Sequence, residues 1–113
     1  MIRFLKALRC ALEGIGYGVT TQRHLRFHLI AGSLALIVGT FKGLAIVEWM
    51  VLVLLIAAVI AAELFNTALE AVVDLVAPEY HPLAKAAKDA AAGAVLTLAF
   101  AALVIGGLLF CRS

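Results

Sequence analysis

Apolar residues run along this chain in long blocks broken by short polar stretches, and the pattern predicts four helical segments. Over residues 2 to about 15, Phe4, Leu5, Leu8, Leu12 and Ile15 keep to one side while Arg3, Lys6, Arg9 and Glu13 keep mostly to the other. That predicts an amphipathic helix lying in a membrane interface. Gly14, Gly16 and Gly18 make a poor helix interior, so 14–23 reads as a bend into the bilayer. A first span covers about 24–41, where Gly32, Ser33 and Gly39 are small enough to let helices approach closely. Lys42-Gly43 is so short a turn that the second span, about 44–73, must run back antiparallel. Thirty residues make about 45 Å, more than the ~30 Å hydrocarbon slab, so its last turns project into water. Ala77 to Pro82 is a polar loop with proline at both shoulders, and Leu83 to Asp89 is a charged lead-in. The third span, about 84–111, contains 22 residues without charge, Ala90 to Cys111.

Composition agrees with that division. A 113-residue chain that is 65% hydrophobic and only 14% charged is too apolar for a soluble domain of its size. We read 1–113 as one all-α integral membrane domain: a surface helix plus three transmembrane helices. A net charge of +2, without basic and aromatic residues interleaved, gives no reason to expect a nucleic-acid partner. Arg3, Lys6, Arg9, Arg23, Arg26, Lys85 and Lys88 fall on one side of a three-span arrangement, and only Lys42 and Arg112 on the other. The basic excess puts the N-terminus and the 77–89 loop in the cytoplasm. Cys10 and Cys111 then lie on opposite sides, which predicts free thiols. Arg3, Lys6 and Arg9 interrupt the apolar run that a signal peptide needs.

The candidate chemistry sits at the inner end of the second span. Fourteen uncharged residues, Trp49 to Ala62, lead to Glu63, Asn66, Glu70 and Asp74, which fall within roughly 80° of one another on a helix. With Trp49 at one interface, Glu63 lies about 21 Å deeper, inside the slab, and Asp74 is in water. An ionisable group at lipid depth is costly and marks a functional site; its structural alternative is a hydrogen-bonded carboxylate at a helix contact. Lys88 and Asp89, at the start of the third span, should face Glu70 and Asp74 across the hairpin. Lys88 either pairs an acid there or meets phosphate as a point charge. Carboxylates beside an amide are the hard oxygen donors that Mg²⁺ takes when it arrives with a nucleotide. His24, His28 and His81 read as interfacial or capping residues. No phosphate-binding glycine loop or protein-kinase signature occurs.

Glu63-Leu-Phe-Asn66-Thr-Ala-Leu-Glu70-Ala-Val-Val-Asp74 resembles the signature of the small prokaryotic diacylglycerol and undecaprenol kinases, and the stretch from Glu79 to Val95 is similar to that family's second block. The resemblance implies a lipid kinase that uses ATP and Mg²⁺. The resemblance also implies a homotrimer with sites shared between subunits, in the bacterial inner membrane with the active site at the cytoplasmic face. On these positions it implies Glu63 as general base at the lipid hydroxyl and Glu70 as a metal ligand. It implies ATP-binding positions at Asn66, Glu70, Asp74, Lys88 and Asp89, of which Asn66, Lys88 and Asp89 line the phosphates, with Glu79, Tyr80 and His81 in a stretch near the nucleotide. Arg3 aligns with an arginine near the substrate. The family's second metal-binding glutamate is replaced by Gln22, whose amide oxygen carries no charge. The wording of Pro82 to Gly93 looks like the undecaprenol branch, with diacylglycerol as the alternative acceptor. A transporter or channel subunit is the rival from another class, but the outer half of the spans offers a polar path only Ser33, Thr40 and Glu48.

Overall fold

The structure is a computed structural model describing residues 1–112. It contains four helices, α1 (Ile2–Thr21), α2 (Arg23–Lys42), α3 (Ile46–Val76) and α4 (Pro82–Phe110). Three of them, α2, α3 and α4, are long and apolar enough to cross a bilayer. The molecule is flat, 52 × 41 × 21 Å, with α3 touching each of the other three helices and packing most closely along α4.

The bend expected over 14–23 is confined to one residue. Helix α1 continues through Gly14, Gly16 and Gly18 to Thr21, and only Gln22 is extended, at φ −114° and ψ 111°. Glycine's helix cost of roughly 1 kcal/mol is met here by local bonds. The Thr20 hydroxyl donates to the carbonyls of Gly16 and Tyr17, and the Thr21 hydroxyl to that of Tyr17. Arg26, from α2, donates to the Val19 and Thr20 carbonyls at 2.7 and 3.2 Å, filling acceptors that the end of α1 leaves open. Gly18 is buried where α1 meets α2 and α3, so closely that a Cβ there would lie 2.8 Å from Leu25 Cδ2 and 2.9 Å from Leu64 Cδ2.

The α2–α3 hairpin turns on Gly43, whose left-handed φ of 72° suits glycine, and its N–H donates to the Gly39 carbonyl. Helix α3 starts with Glu48 accepting the Ala45 N–H at 2.9 Å. It is stopped ahead of Pro78. Helix α4 starts with Pro82 in its first turn and His81 Nδ1 accepting the Leu83 N–H, a capping role for that histidine. Gly32 and Gly39 provide the close approach expected of them: a Cβ would stand 2.9 Å from Ile56 Cγ2 and 2.9 Å from Trp49 Cη2 respectively. Ser33 does not join them. It is exposed, and its hydroxyl donates to the Leu29 carbonyl.

At the end of the hairpin opposite the acidic stripe, Lys42 Nζ donates to the Arg112 carbonyl at 2.7 Å and Arg112 Nη2 pairs with Glu48 at 2.7 Å. These two cations therefore share one end of the molecule, as the charge count required. Leu44, Leu52 and Leu109 form a small core beneath them. Among the described residues only six apolar side chains are buried, while Ile30, Leu54, Phe65, Leu96 and Leu103 are among many left exposed on the spans. Such surface is stable against lipid or against further copies of the chain, not against water.

Candidate active site

Helix periodicity puts Glu63, Asn66, Glu70 and Asp74 on one face of α3, and packing gives each a different setting. Glu63 is buried, 5% exposed. Asn66 and Glu70 are half-buried and Asp74 is exposed, so the stripe runs from the interior of the helix pack to the surface. The Thr67 hydroxyl, also buried, is spent on the Glu63 backbone carbonyl. Asn66 Nδ2 donates to Glu70 Oε1 at 3.2 Å, which aligns the amide beside the carboxylate. Asn66 Oδ1 is left buried without a hydrogen-bond partner. A buried unpaired carbonyl oxygen costs about 1–3 kcal/mol, so it marks a place where another group belongs.

Glu63 faces α2. His28 Nε2 stands 3.3 Å from Glu63 Oε1, and both side chains are largely buried. This contact was not foreseen from the sequence, where His28 read as an interfacial or capping residue. His28 also lines an apolar groove of about 400 Å³ on the same face of α3, bordered by Phe27, Gly32, Ile56, Ala102 and Phe110, and it is the one polar side chain in that lining.

The aqueous end of the stripe meets α4. Lys88 Nζ lies 2.5 Å from Asp74 Oδ1. Asp89 turns the other way and pairs with Lys85 at 2.5 Å, one helical turn back on α4. The expectation that both members of the Lys88-Asp89 pair face α3 therefore holds for the lysine alone. A rotation of about 100° separates neighbouring residues on a helix, so only one of the two can point into the α3–α4 seam. Glu79 and Tyr80 are exposed in the loop beside this end, with His81 capping α4.

Two residues stand apart. Gln22 is at the α1–α2 break, its amide donating to the Thr21 hydroxyl at 3.4 Å. Arg3 is exposed in the first turn of α1, about 22 Å along the helix from Gly18, where α1 meets α3. Within one chain, Arg3 is not brought to the stripe.

No group of three or more His, Cys, Asp or Glu side chains able to hold a metal ion occurs among the described residues. The donors present are the Glu70 carboxylate and the unpaired Asn66 Oδ1, both hard oxygens. That set fits Mg²⁺ bound chiefly to nucleotide phosphates, which keeps few protein ligands, and does not fit a dedicated cage.

Bilayer-length apolar helices mark an integral membrane protein, and a buried carboxylate leading through oxygen donors to a surface ammonium is a set that phosphoryl transfer can use. The model of the prokaryotic diacylglycerol kinase family matches residues 9–110, and the chain belongs to that family. It is 47% identical over 108 residues to the undecaprenol kinase of Bacillus subtilis (strain 168), covering 96% of this chain and 88% of that one. It is 45% identical over 106 residues to the diacylglycerol kinase of Synechocystis sp., covering 93% of this chain and 61% of the other. The diacylglycerol kinase of Escherichia coli (strain K12) is 28% identical over 102 residues, 90% of this chain and 84% of its own. The protein is thus a lipid kinase of the membrane, and phosphorylation by ATP is the reaction its family performs.

Proposed function

We propose that this protein phosphorylates undecaprenol with ATP, at the cytoplasmic face of the bacterial inner membrane and as a homotrimer, with α1 lying in the interface. The observation that carries the reading is the graded stripe on α3: a buried acid at Glu63, then Asn66 and Glu70, then Asp74 against Lys88 at the surface. A lipid hydroxyl reaches the acid from the bilayer, and a nucleotide reaches the other end from water. The likeness to an enzyme named undecaprenol kinase supports the choice of acceptor.

In this reading Glu63 accepts the proton of the lipid hydroxyl as its oxygen attacks the γ-phosphorus, and the bond to the β-phosphate oxygen breaks with its electron pair leaving on ADP. A base held out of water suits proton transfer near neutrality. Phosphoryl transfer asks otherwise for alignment and charge neutralisation. Lys88 exchanges Asp74 for phosphate and contributes one positive charge. Asp89, Glu79, Tyr80 and His81 border the nucleotide, Glu70 and Asn66 Oδ1 hold Mg²⁺, and Gln22 and Arg3 reach a site across a subunit boundary. Bound Mg²⁺ supplies neutralisation of the phosphate oxygens.

The test is transfer from γ-³²P-labelled ATP by purified protein in mixed micelles with Mg²⁺, using undecaprenol and dioleoylglycerol as acceptors. Label should pass preferentially to undecaprenol. Preference for dioleoylglycerol would reassign the acceptor, and label in neither lipid would overturn the reading.

A further inference from the structure

Glu63 is 95% removed from solvent, yet its own helix gives its carboxylate nothing to hold. The Thr67 hydroxyl is turned to the Glu63 backbone carbonyl, and the Asn66 amide to Glu70. Among the described residues the one basic side chain paired with the carboxylate is His28, whose Nε2 lies 3.3 Å from Oε1. A buried carboxylate without a partner is costly, and it is also free to rotate. The imidazole is itself confined. It comes from the rigid face of α2 that packs by Gly32 on Ile56, and its ring sits edge-on to Phe27 at a centroid distance of 5.5 Å.

We propose that His28 is a positioning residue for the base: with the proton on Nε2, the imidazole holds Glu63 Oε1 and leaves Oε2 to receive the lipid hydroxyl's proton. The inference rests on the reading of Glu63 as general base. His28 exchanges no proton in the step. The hydroxyl O–H bond breaks toward Oε2 while oxygen bonds to the γ-phosphorus and ADP departs with the electron pair. What His28 supplies is direction, and a 1 Å misplacement of a reacting group costs on the order of a hundredfold in rate. Because His28 is also the polar edge of the apolar groove, the hydroxyl of a lipid lying along α3 arrives beside the oxygen that the imidazole leaves free.

The experiment is a double-mutant cycle on the full-length enzyme in micelles, with Mg-ATP and whichever of undecaprenol or dioleoylglycerol accepts label. Helix content and thermal unfolding are followed for each variant. His28→Ala should lower kcat by about 10- to 100-fold with the KM for ATP within about twofold of the parent. His28→Gln, which keeps an N–H donor on a side chain of similar reach, should recover most of that loss. His28→Ala combined with Glu63→Gln should be no slower than Glu63→Gln alone, because a positioner has nothing left to position. An unchanged kcat in His28→Ala, a loss confined to KM, no recovery in a folded His28→Gln, or fully multiplicative losses in the double variant would each overturn the proposal. Parental turnover in Glu63→Gln would instead overturn the base assignment beneath it, and the cycle separates the two failures.

Discussion

Lys88 Nζ rests 2.5 Å from Asp74 Oδ1, so the cation proposed to meet a nucleotide phosphate is paired across the α3–α4 seam with an acid of the stripe. Both side chains are well exposed, 39% and 63%, and an exposed pair of this kind contributes roughly 0–1 kcal/mol. That is weak enough for a triphosphate to displace.

Replacing the two partners should therefore give different results. Lys88→Ala should raise the KM for Mg-ATP by about tenfold or more, the loss of a charge-assisted contact worth about 1.5–3 kcal/mol. It should leave thermal unfolding in detergent nearly unchanged. Asp74→Asn should change stability by less than about 1 kcal/mol, since the pair it breaks is solvated. Steady-state kinetics beside thermal unfolding checks both, and a large stability loss in Lys88→Ala would assign the pair a structural role.

Glu63 and Glu70 should fail in distinct ways. In the proposed mechanism Glu63→Gln removes the proton acceptor, so it should cut kcat by about 10²- to 10⁴-fold while nucleotide affinity stays near the parent's. Glu70→Gln strips the negative charge from the donor set, leaving two neutral amide oxygens, and should weaken Mg-ATP binding as well as turnover. Titration of a fluorescent ATP analogue with and without Mg²⁺ distinguishes them. Equal affinity in the two variants would contradict this division of labour.

Gly39 sets the spacing of the α2–α3 hairpin. A Cβ there would stand 2.9 Å from Trp49 Cη2, 3.0 Å from Leu44 Cδ1 and 3.3 Å from Trp49 Cζ3, and the indole ring has no flexible end to move aside. Gly39→Val should destabilise by about 1–3 kcal/mol, the range of overpacked cores, seen as a lower unfolding temperature in micelles. The same change at Gly93, where a Cβ meets nothing within 4 Å, should be mild within a single chain.

The clamp at the opposite end of the spans is open to the same approach. Arg112 joins Glu48 at 2.7 Å and receives Lys42 on its carbonyl, linking α2, α3 and the end of α4. Arg112→Ala should cost about 0.5–1.5 kcal/mol, because Glu48 is only 19% exposed and keeps the Ala45 N–H as a partner. Turnover at saturating substrates should be unaffected. Thermal unfolding of Arg112→Ala and Glu48→Gln compared with the double variant measures the coupling directly.

Much of this architecture could be read from the chain. The spans need only length and hydropathy, and the acidic stripe needs only the 3.6-residue period. Gly43 and Pro82 mark their turn and helix start by backbone chemistry alone. Where reading failed, a local rule met a tertiary contact. Glycines that favour a bend stay helical at Gly18, because Leu25 and Leu64 press against it. Asp89 reads as a partner of α3 but turns to Lys85. His28 carried a faint signal: it lies 14 residues before the end of α2 and Glu63 lies 17 after the start of α3, rises of about 21 and 26 Å from the same turn.

That signal brings the two residues to similar depths but says nothing of rotation. Composition and periodicity determine which residues share a face of each helix, since both depend only on neighbours along the chain. Which faces meet depends on how Gly32 seats Ile56 and Gly39 seats Trp49, a matter of side-chain shape between segments distant in sequence. The pairings of Glu63 with His28 and of Asp74 with Lys88 are consequences of that packing, and only the folded molecule decides them.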